Sequence, residues 1–131
     1  MKFNCTLLVD DDPVSCFINT ELIEEYGFST HSHSVSNGAA ALDYIEKQCK
    51  PNHIANCPNV VLLDLNMPVM DGFEFLEELK ARSLYLLSKF KIIVLTSSTN
   101  PQDLERAQQF NVDGYLNKPL SAEKLQAILA D

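Results

Sequence analysis

Four polar stops along the chain carry the residues that could do chemistry: Asp10-Asp11-Asp12, Asp64, Thr96-Ser97-Ser98 and Asn117-Lys118. Each closes a short apolar run: Thr6–Val9, Val60–Leu63, Lys91–Leu95 and Gly114–Leu116. If those runs are parallel strands, their carboxyl ends share one edge, where open α/β sheets place their ligands. Two or three carboxylates brought within a few ångströms repel, and each resists ionising. A hard divalent cation removes that cost, and Mg²⁺ prefers oxygen donors of this kind. Lys118 adds a mobile point charge suited to a phosphate oxygen, and a hydroxyl from Thr96 could donate to the same phosphate. An aspartate beside Mg²⁺ and a lysine can attack phosphorus and give an aspartyl phosphate. Taken alone, Asp64 reads equally well as a solvated carboxylate at a strand end.

The elements that must position these residues follow from periodicity and punctuation. Val60–Leu63 is continuously apolar, which suits a strand buried on both faces. Asp12-Pro13 reads as a helix cap and first turn. Val14, Phe17, Ile18, Leu22 and Ile23 then give i, i+3, i+4 spacings, which predict an amphipathic helix with those residues buried, ending at Gly27. Phe28–Val35 (F-S-T-H-S-H-S-V) predicts an edge strand, with His31 and His33 as solvated side chains rather than metal ligands. Asn37-Gly38 opens a helix to about Gln48 that offers Ala40, Ala41, Leu42 and Ile45 for packing. Asp71-Gly72-Phe73-Glu74 resembles a capping box. It opens a helix with Phe73, Leu76, Leu79 and Leu84 on its apolar face. Asn100-Pro101 starts a mostly polar helix to about Phe110, and Ser121 caps a last one carrying Leu125, Ile128 and Leu129. Five strands alternating with five helices mean βαβ units and a doubly wound parallel sheet.

Composition sets the limits. The chain has 131 residues, 18 acids against 10 bases and a formal net charge of -8, with a pI near 4.7. That is enough chain for one domain with one core, and residues 1–131 are expected to be that single domain. The acidic balance is a poor match for nucleic acid and suits metal ions or basic protein surfaces. No apolar run approaches the ~20 residues of a membrane span. With no secretory signal at the start, a cytoplasmic protein with free thiols is expected for Cys5, Cys16, Cys49 and Cys57. The C-x₃-H-x₃-C of Cys49, His53 and Cys57 is looser than zinc spacing and lacks a clear fourth ligand. The loop that holds it, Cys49–Asn59, reads as a surface insertion.

Four motifs together carry a resemblance: V-D-D-D-P at Val9–Pro13, L-L-D-L-N-M-P-V-M-D-G at Leu62–Gly72, V-L-T-S at Val94–Ser97 and Y-L-N-K-P at Tyr115–Pro119. In order and spacing the chain resembles the receiver domain of two-component response regulators, of the stand-alone, chemotaxis-regulator type with no output domain. The resemblance implies a flavodoxin-like fold with strand order 2-1-3-4-5. It implies that Asp64 accepts a phosphoryl group from a histidine kinase, a phosphotransfer protein or a small acyl phosphate. Asp11 would ligate Mg²⁺ directly, with Asp10 beside it and the backbone carbonyl of Asn66 completing the protein's share alongside Asp64. Asp12 would be a helix cap. Thr96 and Lys118 would bind the phosphoryl group, with a cis peptide between Lys118 and Pro119 aiming the lysine. Tyr115 would follow Thr96 inward as the switch aromatic, changing the surface made by the Asn100–Phe110 helix, the Tyr115 strand and the last helix. That face, with Leu104, Ala107 and Phe110, could also pair two copies. Asn66 and Ser98 stand where the family tunes phosphoryl lifetime.

Two other classes compete. A Mg²⁺ phosphatase of the dehalogenase-like class also uses a strand-end aspartate, but it needs a second acid two residues later, and Asn66 stands there. A receiver that no longer takes phosphate and binds partners constitutively would have less reason to keep Asp10, Asp11, Asp64, Thr96 and Lys118 together. The expectation is a signalling module that is not an enzyme.

Overall fold

A computed structural model describes residues 3–49, 57–65, 70–82, 91–96, 101–110, 112–118 and 120–129. Strands and helices alternate through them: β1 (Phe3–Val9), α1 (Pro13–Glu25), β2 (Ser29–Val35), α2 (Gly38–Gln48), β3 (Val60–Asp64), α3 (Gly72–Ala81), β4 (Lys91–Thr96), α4 (Pro101–Gln108), β5 (Gly114–Asn117) and α5 (Ala122–Leu129). The strands pair in parallel in one sheet, in the order β2-β1-β3-β4-β5. The doubly wound α/β architecture expected from the sequence is therefore present, with the polar strand β2 at an edge and the apolar β3 at the centre.

Side chains alternate across the sheet, so each central strand feeds two cores. Leu7, Val9, Val61 and Leu63 meet Ala41, Leu42, Ile45, Phe75, Leu76 and Leu79 on one face. Leu8, Leu62, Ile93 and Leu95 meet Ile23 and Leu125 on the other. Local chemistry fixes where helices start and stop. Asn37 Oδ1 accepts from the Ala40 amide at 2.9 Å, and Ser121 Oγ accepts from that of Lys124 at 3.2 Å. Asp71 and Glu74 form the reciprocal capping box anticipated at α3. Gly27 ends α1 with φ +65. Its amide donates to Glu24 O and that of Phe28 to Ile23 O, the paired bonds of a Schellman turn. On α3, Phe75 is fully buried alongside Phe73, Leu76 and Leu79; the 3–4 spacing alone did not pick it out. Leu84, Asn100 and the side chains of Leu104, Ile128 and Leu129 lie outside the described residues.

Two expectations are corrected. The first is the buried face of α1. Val14, Phe17 and Ile18 are 65%, 66% and 55% exposed. The buried residues of α1 are Asn19 and Ile23, with Cys16 and Leu22 partly buried against the core. Of the five residues expected inside, Ile23 is buried and Leu22 partly so. The start of α1 is set by polar bonds near the strand end: Asp12 Oδ1 accepts from the Val14 amide at 3.0 Å, and Cys16 Sγ donates to Asp10 O at 3.3 Å. With Cys16 held inward, Asn19 and Ile23 fall on the same line at i+3 and i+7, and the apolar trio one step round turns outward.

The second correction concerns the thiols. Cys49 and Cys57 form a disulfide with Cα atoms 4.8 Å apart, while Cys5 and Cys16 are free. The pair ties the end of α2 to the residues before β3 and is buried. Bonded to each other, neither sulfur is available to zinc; His53 lies outside the described residues. Compartment and spacing say nothing about two Cα atoms being brought within bonding range by a returning chain.

Candidate functional site

Parallel pairing sets the geometry. Val9 pairs with Leu63 and Thr96 with Asn117, so Asp10 and Asp64 leave neighbouring strands level with each other, and Lys118 follows from the far side of β4. Carboxylate oxygens of Asp10, Asp11 and Asp64 lie within 4.8 Å of one another. Asp10 and Asp64 are 1% and 6% exposed, and Asp11 is open to solvent. Lys118 Nζ lies 3.0 Å from Asp10 Oδ2 and 3.3 Å from Asp64 Oδ2. Burial alone would lower the Lys118 pKa. The Asp10 hydrogen bond and the charges of Asp64 and Asp10 outweigh that, so the ammonium is held above its ordinary value.

Asp10 is bound on every side. Its Oδ1 accepts from the Asp12 amide at 3.0 Å, its Oδ2 from Lys118, and its own amide donates to Val35 O at 3.1 Å. Asp12 turns its carboxylate away to cap α1. The Cys16 thiol is pushed up to about 11, by burial first and then by the carboxylates of Asp10 and Asp12, so it stays protonated beside the acids. Across the site, Gly72 seats α3 on the end of β3. Its amide donates to Leu65 O at 3.0 Å, and a Cβ there would stand 2.8 Å from Asp64 O and Leu65 Cα. Only glycine permits that approach.

The donor set fits a hard divalent cation: three carboxylates, no sulfur or imidazole among the grouped donors, and two of the three buried. Such an ion would relieve the repulsion that Lys118 offsets only in part. Of the other anticipated site residues, Thr96 closes β4 but its side chain lies outside the described residues. Asn66, Ser97, Ser98 and Pro119 lie outside them too, and with Pro119 the peptide expected to be cis. Tyr115 is half-buried on β5 and packs against the cluster of Leu65, Phe73, Val94 and Ala107, which begins at the residue after Asp64. The Arg106 guanidinium covers the Phe73 ring at 4.1 Å. Ala107 and Phe110, the described apolar residues of the proposed pairing face, turn into this cluster.

Sequence reasoning missed how open the approach is. A cleft of about 680 Å³ runs beside the acids and is lined by Asp10, Asp11, Phe17 and Ser36 among others. One of about 350 Å³ on the other side of α1 reaches Lys118 past Val14 and Ile18. The outward face of α1 lies between them. The line of Cys16, Asn19 and Ile23 at i, i+3 and i+7 is the signal that could have pointed to it.

Comparison with known proteins agrees with this arrangement. Residues 6–130 match the response regulator receiver domain family. The probable methanogenesis regulatory protein FilR2 of Methanothrix harundinacea is 37% identical over 92% of this chain and 75% of its own length. Hybrid signal transduction histidine kinase C of Dictyostelium discoideum is 30% identical over 94% of this chain, which amounts to 10% of that protein. The crystal structure of a two component response regulator from Cytophaga hutchinsonii superposes with a TM-score of 0.86 at 29% identity, covering 99% of this chain and 96% of that one. With a family match over nearly its whole length and the sheet order and carboxylate cluster on the page, the chain belongs to the response regulator receiver domains of two-component signalling systems.

Proposed function

We propose that the chain is a phosphorylation-switched interaction module that takes a phosphoryl group on Asp64. The observation that carries this reading is Lys118 Nζ held between Asp10 and Asp64 where three carboxylates converge. An Asp64 carboxylate oxygen forms a bond to phosphorus. The bond from phosphorus to a donor phosphohistidine nitrogen breaks, and its electron pair returns to the imidazole. Lys118 follows the new phosphoryl oxygens and exchanges its Asp10 contact for them. Asp10, Asp11, Asp64 and the Asn66 carbonyl would hold Mg²⁺, which neutralises charge on the phosphoryl oxygens when bound. The acyl phosphate carries roughly -1.5 to -2 charges at the strand ends, in place of the single charge of the Asp64 carboxylate. In this reading the Thr96 hydroxyl donates to the phosphoryl group, Tyr115 follows it inward, and the α4–β5–α5 surface changes for a downstream partner.

The donor is a histidine kinase or a phosphotransfer protein, and the reading places this chain in the cytoplasm. Val14, Phe17 and Ile18, exposed between two clefts that reach the acids and the lysine, suit a partner that buries apolar side chains while presenting its histidine to Asp64. Turnover of a phosphorylated metabolite is disfavoured because Asn66, not an acid, stands two residues after Asp64.

Intact-mass spectrometry after incubation with acetyl phosphate and Mg²⁺ tests the reading. Wild type gains one phosphoryl group; Asp64→Asn, or wild type with chelator, gains none. A wild type that takes up neither phosphate nor beryllofluoride is instead a phosphorylation-independent scaffold.

A further inference from the structure

At the opposite end of the sheet, a second group of donor side chains shares one cleft. His31 and His33 alternate on β2 and so point to the same face. Cys5 on β1 is the register partner of His31, and Leu7 that of His33. This is the face covered by α2, whose Tyr44 and Gln48 close a cleft of about 340 Å³ lined also by Cys5, His31 and His33. A strand under a covering helix ordinarily offers apolar side chains there; β2 offers two imidazoles before Val35 joins the core.

We propose that this cleft binds a borderline divalent metal ion, with Zn²⁺ as the probe, through His31, His33 and the Cys5 sulfur. Residues two apart on a strand have Cα atoms about 6.7 Å apart, and neighbouring strands run about 4.8 Å apart. That triangle is narrow enough for two imidazoles and a thiolate to meet one ion at zinc's bond lengths of about 2.0–2.3 Å. Cys5 is rigidly presented. Its amide donates to Asn59 Oδ1 at 3.0 Å and its carbonyl accepts from the Asn59 amide at 2.8 Å. The Tyr44 hydroxyl already lies 3.7 Å from Cys5 Sγ and would donate to the thiolate, the outer-shell support that metal sites use.

Among the described residues, the donors that already converge within 4.8 Å are the three aspartates. The His–Cys group therefore closes by side-chain rotation. The His33 ring, stacked on Tyr44 at 4.5 Å and 15°, swings toward Cys5, and the exposed His31 turns to meet it. On binding, the Cys5 thiol gives its proton to solvent, and the fourth position falls to Gln48 or water. Soft and nitrogen donors at this end and oxygen donors at the other would let one domain sort two kinds of cation.

The test is calorimetric titration of the full chain with Zn²⁺ in excess Mg²⁺, without reductant, with Co²⁺ as a spectroscopic probe of sulfur ligation. One equivalent should bind, and the Co²⁺ form should show a thiolate charge-transfer band. His31→Ala and His33→Ala should each weaken binding by about tenfold or more, a first-ligand effect at least as large as an outer-shell one. Cys5→Ser should remove the band, and Cys16→Ser, at the other free thiol, should keep it. Circular dichroism of the exposed-histidine variants checks that folding is unaffected. No uptake by wild type, uptake retained by the His31→Ala/His33→Ala double variant, or a band that follows Cys16 overturns the proposal. None of these outcomes depends on phosphorylation at Asp64.

Discussion

Helices α1 and α3 start alike and end up facing opposite ways. Each follows a strand that carries an acid of the site, opens on an aspartate cap and has apolar residues at helical spacing. In α3 those residues go inside: Phe73, Phe75, Leu76 and Leu79 are buried. In α1 the trio Val14, Phe17 and Ile18 stays outside, and Asn19 goes in. The difference lies at the first turn. α3 sits on β3 through a glycine that brings backbone against backbone, with apolar side chains following. α1 is steered by hydrogen bonds to Asp10 and Asp12, so polar contacts choose its inner face. Helical spacing reveals that a stripe exists; what covers it is decided by the neighbours.

Three substitutions would break or sharpen that contrast. Phe75→Ala removes a ring from the centre of one core and should cost about 3–5 kcal/mol, seen as a lower urea midpoint. A cost below that of an exposed site would mean α3 is not the buried partner. Asp71→Ala removes the side-chain half of the capping box, the acceptor for the Glu74 amide, while its own amide can still donate to Glu74; it should cost about 1 kcal/mol, measured in the same way. Phe17→Ser should change stability by no more than about 0.5 kcal/mol, as for other surface changes. The same variant should still take phosphate from acetyl phosphate at the wild-type rate but more slowly from a phosphohistidine protein. If it unfolds the chain as Phe75→Ala does, the outer face of α1 is structural rather than a docking surface.

The sheet and most helix limits were legible because each rests on local chemistry. Proline and aspartate mark the start of α1, glycine marks its end, and the short β-branched run Val60–Leu63 suits a buried strand. The acid cluster was legible because parallel strands put their ends together, so Asp10, Asp11 and Asp64 could be paired before any distance was known. Lys118 was legible in the same way, as the polar stop of the run Gly114–Leu116, but nothing in its own neighbourhood says that it reaches two acids. What was not legible depended on contacts distant in sequence or on rotation about an axis. The outward turn of Val14, Phe17 and Ile18 is of that kind. So is the Cys49–Cys57 bond, and so is the cleft that Cys5, His31, His33 and Tyr44 line together across three elements.

The two edges of the sheet limit how other proteins can engage it. β2 is hydroxyls and imidazoles for most of its length, and β5 is four residues long. The most apolar strand, β3, is shielded by β1 and β4. Short or polar borders discourage strand-by-strand addition, so backbone ladders offer a visitor little. Recognition then falls to side chains on the helices and loops. Those can diverge without disturbing the sheet, and one scaffold can serve many private conversations in a crowded cell.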